Sequence, residues 1–68
     1  MITLYSTNCP KCKRLESKLN ELGKEYILIE DMGEVLKFGE EHNIRSAPIL
    51  VVDDKIMEFS EAYHYLID

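Results

Sequence analysis

The apolar positions of this chain switch between two periods, and each switch marks an element. Ile2-Thr3-Leu4-Tyr5 is short and β-prone, which predicts a first strand. The polar stretch Ser6-Thr7-Asn8 then predicts a turn, and Pro10 suits the first turn of a helix, where its missing N–H costs nothing. From Cys12 to Leu22 the period becomes helical, with Cys12, Leu15, Leu19 and Leu22 on one face and Lys11, Lys13, Glu16, Lys18 and Glu21 off it. Gly23 is placed to close that helix. Tyr26-Ile27-Leu28-Ile29 is a continuous apolar run of strand length, the kind covered on both faces of a parallel sheet.

Asp31 followed by Glu34 has the type and spacing of a capping box, opening a helix with Met32, Val35, Leu36 and Gly39 inward and Asn43 at its end. Pro48–Val52, the pair Asp53-Asp54, and Lys55–Phe59 together predict a β-hairpin. Ser60 is a suitable cap for a last helix, in which Phe59, Ala62, Tyr63, Leu66 and Ile67 recur at helical spacing. The order is β-α-β-α-β-β-α. Strands joined across a helix pair in parallel and the hairpin adds antiparallel pairs, so an α/β protein with a mixed four-stranded sheet is expected.

Length adds that residues 1–68 form a single domain with a small stability margin, since a chain of about 60 residues buries only roughly 60% of its unfolded surface. Charge adds an exclusion. Thirteen acidic against 8 basic side chains give a net charge of −5, which disfavours a nucleic-acid partner. The longest apolar run, Pro48–Val52, is far short of the ~20 residues of a membrane helix, so no membrane span is expected. Met1 leads straight into the first strand, and no targeting segment is read there.

Two cysteines, three positions apart, carry the chemistry. Secreted domains stapled by disulfides use more cysteines at longer range, so this pair points to the cytoplasm and to redox or metal chemistry. Cys9 falls at a helix start, where free backbone N–H groups and the macrodipole favour an anion, and Lys11, Lys13 and Arg14 add local positive charge. Cys12 lies one turn further, on the Leu15–Leu19 face, and is expected to be buried and less ionised. Cys9 is therefore expected to attack a disulfide and Cys12 to resolve the mixed disulfide. Zinc would need His42 and His64 to complete four ligands, and neither has finger spacing, so no metal site is expected.

Ser46-Ala47-Pro48 precedes the third strand, where a proline without an N–H is tolerated. Beside the dithiol it gains a second meaning: a cis Pro48 facing Cys9 would turn the Ala47 backbone toward an extended substrate. Cys9-Pro10-Lys11-Cys12 after a strand, Ala47-Pro48 before the third strand and the element order together resemble a glutaredoxin of the thioredoxin-like superfamily. The resemblance implies a three-layer α/β/α fold, Cys9 as nucleophile, Cys12 as resolving thiol, and Pro10, Lys11, Ala47 and Pro48 as substrate-binding residues. It also implies a monomer without a bound cofactor, acting on a disulfide-containing protein.

The chain departs from glutaredoxins where they bind glutathione. Glu58-Phe59-Ser60-Glu61-Ala62 stands in place of their Gly-Gly-x-x-Asp segment, and two carboxylates there repel a glutathione carboxylate. Arg45 is a candidate partner for the glycine carboxylate, or simply a loop charge. The Ala47-Pro48 pair resembles the redoxins that serve ribonucleotide reductase and are reduced by thioredoxin reductase. Two reductants thus stay open, thioredoxin reductase with NADPH, or glutathione. A glutathione-ligated iron–sulfur carrier is a further alternative.

Overall fold

A computed structural model describes residues 1–45 and 47–67. The expected order is found: β1 (Ile2–Tyr5), α1 (Pro10–Glu21), β2 (Ile27–Ile29), α2 (Met32–Glu41), β3 (Ile49–Val52), β4 (Lys55–Glu58) and α3 (Phe59–Ile67). The strands form one mixed sheet in the order β2-β1-β3-β4. β1 pairs β2 in parallel, β1 pairs β3 antiparallel, and β3 pairs β4 as the predicted hairpin.

Strand alternation separates two layers of helix. Leu4, Leu50 and Met57 stand opposite one another in the ladder and are fully buried. Against them pack Leu15 and Leu19 from α1 and Ala62 and Leu66 from α3, forming the main core. The neighbouring residue Tyr5 stacks on Phe38 of α2, with ring centroids 4.2 Å apart. Helices therefore cover both faces in the three-layer α/β/α arrangement. Truncating any of these buried leucines to alanine would cost about 2–5 kcal/mol, much of the margin available to a domain this size.

Helix ends follow local chemistry. Gly23 takes φ +68, and the N–H groups of Gly23 and Lys24 bond back to the Asn20 and Leu19 carbonyls in a Schellman closure. α2 ends the same way with Asn43 at φ 58, the Asn43 and Ile44 N–H groups returning to Glu40 and Gly39. At its start, Asp31 Oδ1 accepts from the Glu34 N–H at 3.1 Å, the predicted cap. The hairpin turns through Asp53 at φ 54, a left-handed conformation that Asp tolerates better than most residues.

Five local expectations need correction. Leu22 is 43% exposed, because the helix has ended and the chain is already reversing at Gly23. β2 begins at Ile27 and is an edge strand with Ile27 47% exposed, not a strand covered on both faces. On α2 only Val35 and Gly39 are buried, while Met32 and Leu36 stay 59% and 58% exposed. Phe59 belongs to α3 and not to the hairpin, so Ser60 lies inside the helix and does not cap it. Ile67 is 49% exposed, because the α3 face toward the sheet is carried by Ala62 and Leu66.

Gly39 is fixed by a close approach. A Cβ there would meet the Ile44 carbonyl oxygen at 2.5 Å, inside the loop that leads to Ala47. Gly39→Ala gains about 1 kcal/mol of helix propensity but overpacks this contact at about 1–3 kcal/mol. A lower Tm is expected, at roughly 4–8 °C per kcal/mol of net loss. A thermal melt showing an equal or higher Tm would contradict the packing described.

Candidate functional site

Asn8, at φ 64, turns the chain out of β1 so that Cys9 becomes the N-cap of α1 and Pro10 its first helical residue. Here a sulfur does what a Ser or Asp oxygen does at other helix starts. Cys9 Sγ accepts the Cys12 N–H at 3.2 Å. One turn of helix then brings the Cys12 sulfur to 2.6 Å from the Cys9 sulfur, both as free thiols. The two differ in access. Cys9 is partly exposed, whereas Cys12 is fully buried among the α1 face residues.

From the polar turn before α1, Thr7 also reaches Cys12. The Thr7 N–H donates to Cys12 Sγ at 3.4 Å, and Thr7 Oγ1 lies 3.8 Å from the same sulfur. Ser6 is fully buried, held by its own N–H to the Ile29 carbonyl at 2.9 Å, and its Oγ accepts the Asn8 N–H at 3.1 Å. A signal for it exists in the sequence: Ser6 is in phase with Ile2 and Leu4 on β1, so a polar side chain sits where the strand points inward.

These contacts correct one expectation. Burial, the largest single influence on the Cys12 thiol, raises its pKa. Hydrogen bonds from the Cys9 side chain, the Thr7 backbone, the Ser6 hydroxyl and the Cys9 backbone together outweigh it, and the net direction is downward. Cys12 is buried but not forced to stay protonated. Negative charge on Cys12 is therefore served by donors in contact with its sulfur, and the two sulfurs differ in their access to solvent.

The Ala47–Pro48 peptide is cis and Pro48 is fully buried, while Ser46 lies outside the described residues. The Ala47 carbonyl faces the dithiol, 3.9 Å from Cys9 Sγ. Pro10 and Lys11 are exposed at the helix start, and Lys11 Nζ stands 5.5 Å over the Phe59 ring at the start of α3. That contact brings the segment with exposed Glu58 and Glu61 beside the motif. On the opposite side, Thr7 and Ala47 border a groove of about 530 Å³ that continues along Val35, Leu36, Ile44 and Arg45. His42 and His64 are exposed, and among the described residues no group of three or more His, Cys, Asp or Glu side chains is arranged to hold a metal. Nor is any helix among them long and apolar enough to cross a membrane.

A mixed sheet between two helical layers, with a Cys-Pro-x-Cys pair capping the first helix and a cis-proline beside it, defines a thioredoxin-like protein of glutaredoxin type. The family model described as Thioredoxin domain matches residues 1–59, and the chain belongs to that family. Among solved structures it is similar to the glutaredoxin-like protein NrdH-redoxin from Escherichia coli, at 16% identity over 93% of this chain and 91% of that one, with a TM-score of 0.76. It is also similar to a mutant of the thioredoxin-like protein BC3987, at 20% identity over 100% of both chains, with a TM-score of 0.77. Comparison with curated proteins found no match. Family membership and the two adjacent sulfurs support a thiol redox function.

Unequal access predicts unequal labelling. Reduced protein treated briefly with iodoacetamide near neutral pH should carry the label on Cys9, and peptide mass spectrometry showing equal labelling of Cys12 would contradict the burial. The lowered Cys12 pKa makes a second prediction, whose sign follows from linkage. Between the folded value and the unfolded value of about 8.5, the unfolded chain binds more protons, so the reduced protein grows more stable as pH rises. That contribution is complete above the unfolded pKa and is lost as pH falls through the folded one. The Tm of reduced protein should climb over this window and Cys12→Ala should flatten the climb; a flat wild-type profile refutes it.

Proposed function

We propose that this protein is a thiol–disulfide oxidoreductase that reduces protein disulfides through Cys9-Pro10-Lys11-Cys12. One observation carries the reading: a partly exposed sulfur caps a helix, 2.6 Å from a second sulfur that solvent does not reach. Cys9 attacks, because an incoming disulfide meets it first. Cys12 resolves, because it is already in contact with the atom it must attack. Pro10 and Lys11 at the helix start and the Ala47-Pro48 pair receive the substrate chain, with the Ala47 carbonyl, 3.9 Å from Cys9 Sγ, as its backbone partner.

The electrons come from an external reductase, and no bound cofactor is required. Thioredoxin reductase with NADPH is favoured over glutathione. Glu58 and Glu61 beside the motif repel the carboxylates of glutathione, and the Gly-Gly-x-x-Asp segment is missing there. The E. coli NrdH-redoxin of similar fold is described as glutaredoxin-like with a thioredoxin-like activity profile, which fits the same preference. By that likeness and the Ala47-Pro48 pair, the substrate class extends to ribonucleotide reductase, with this chain as a monomeric cytoplasmic hydrogen donor.

Cys9→Ser should abolish reduction of insulin disulfides, a loss of at least a hundredfold, while Cys12→Ser should accumulate the mixed disulfide on Cys9. Turnover should follow NADPH with thioredoxin reductase and not glutathione with its reductase. Undiminished insulin reduction by Cys9→Ser ends the proposal, and turnover with glutathione alone reverses the choice of reductant.

A further inference from the structure

Thr7 touches the buried sulfur on one side and borders the open groove on the other. Its N–H donates to Cys12 Sγ at 3.4 Å, and its Oγ1 lies 3.8 Å from the same sulfur, where either atom can be the donor. The residues around it hold it there. Ser6 is tied to β2 through its N–H to the Ile29 carbonyl, and Ser6 Oγ accepts the Asn8 N–H at 3.1 Å. Asn8 then takes φ 64 and hands the chain to the Cys9 cap. Thr7 is therefore fixed between two anchored neighbours, and its polar groups meet Cys12 before any substrate arrives.

In the first chemical step the Cys9 thiolate attacks the substrate disulfide. A Cys9–substrate S–S bond forms, the substrate S–S bond breaks, and one substrate sulfur leaves with the electron pair. Cys9 Sγ now carries no proton and can give no hydrogen bond to Cys12. In the second step Cys12, its proton lost to solvent, attacks Cys9 Sγ as the thiolate. The Cys9–Cys12 bond forms, the Cys9–substrate bond breaks, and the second substrate sulfur leaves as thiolate and takes a proton from water. The dithiol has lost two electrons and the substrate has gained them. Between the two steps, the hydrogen bonds of this structure that remain on Cys12 Sγ, among the described residues, are those of Thr7. A thiolate has no proton to give, so the contact at Oγ1 then runs in one direction, from hydroxyl to sulfur.

We propose that Thr7 is a positioning residue for the resolving step, its hydroxyl and N–H holding the Cys12 sulfur toward Cys9 while Cys9 is bound to substrate. This rests on Cys9 attacking and Cys12 resolving, as proposed above. Burial raises the Cys12 pKa, while hydrogen bonds that include those from Cys9 and the Thr7 backbone lower it, in keeping with donors at this place. The titratable group against Cys12 is Cys9. Lys11, Lys13 and Arg14 are exposed on the same helix, and the segments that reach the dithiol from elsewhere, Ser6-Thr7-Asn8 and Ala47-Pro48, carry no charge. Loss of one hydroxyl is thus not masked by a cation in contact with the sulfur.

Titration and kinetics test the role separately. In a Cys9→Ala background Cys12 is the sole thiol and has lost its neighbour's donor, and its thiolate ultraviolet absorbance can be titrated whether or not the protein reduces anything. Adding Thr7→Val, which keeps the size and the N–H, should raise the Cys12 midpoint by roughly half a pH unit, the threefold effect of one ordinary hydrogen bond. Thr7→Ser, which keeps the hydroxyl, should leave the midpoint in place. With both cysteines present, stopped-flow reaction with a chromogenic aromatic disulfide releases one aromatic thiolate on attack and a second on resolution. Thr7→Val should slow the second release about twofold at neutral pH and leave the first unchanged, because the raised basicity of Cys12 returns part of the loss. That deficit should close as pH rises past the Cys12 midpoint. An unmoved midpoint in Thr7→Val, or a deficit equal in both releases and constant with pH, would make Thr7 a purely structural residue and overturn the inference. Cys9→Ala releasing aromatic thiolate at the wild-type rate would instead overturn the roles on which it rests.

Discussion

The hydrogen bond from the Cys12 N–H to the Cys9 sulfur, 3.2 Å long, joins folding and chemistry in a single contact. As a cap it satisfies one of the free N–H groups at the start of α1 and sets the direction in which the helix leaves β1. As a redox feature it holds the partly exposed sulfur at the positive end of the helix, one turn from its partner. The cap exists only because Asn8 accepts a left-handed backbone and Pro10 begins the helix without needing a hydrogen bond of its own. Everything further along α1 is then pinned by Leu15 and Leu19 in the core, so the sulfur pair has little freedom to drift apart.

The sheet supplies what α1 cannot. β1 is central, paired with β2 on one side and β3 on the other, and the chain leaving its C-terminal end brings Thr7 to Cys12. β3 begins immediately after Pro48, so the Ala47 carbonyl arrives beside Cys9 from a segment 38 residues away. The two sides of the dithiol are unlike. Toward α3 the helices close over a dry core and Lys11 lies over Phe59. Toward α2 a groove opens along Leu36 and Ile44, which accounts for the exposed apolar side chain of Leu36 at its margin.

Charge is arranged against the average of the chain. The net charge is −5, yet Lys11, Lys13 and Arg14 are exposed around the helix start that carries Cys9. Exposed cations at this distance act weakly through water compared with donors in direct contact with sulfur. The contacts, more than the surrounding lysines, therefore govern the buried thiol. That ranking also explains the direction of the Cys12 pKa: desolvation raises it, but hydrogen bonds such as those from Cys9 and Thr7 act at contact range and bring it down.

Local rules settled much of this protein. The apolar spacing of α1, its closure at Gly23, the Asp31 cap, the hairpin and the Cys9–Cys12 pairing all depend on residues within a turn or two of one another, and a sequence displays such neighbours directly. Where it misled, the missing information was about which surface a residue meets. Met32 and Leu36 have the spacing of an inward face, but α2 presses only Val35, Phe38 and Gly39 toward the sheet. Tyr26–Ile29 is apolar enough for a central strand, yet pairing order left it at the edge. The direction of the Cys12 pKa escapes the sequence for the same reason: burial follows from helical phase, whereas only the packing of α1 beside the end of β1 brings the Thr7 donor to the sulfur.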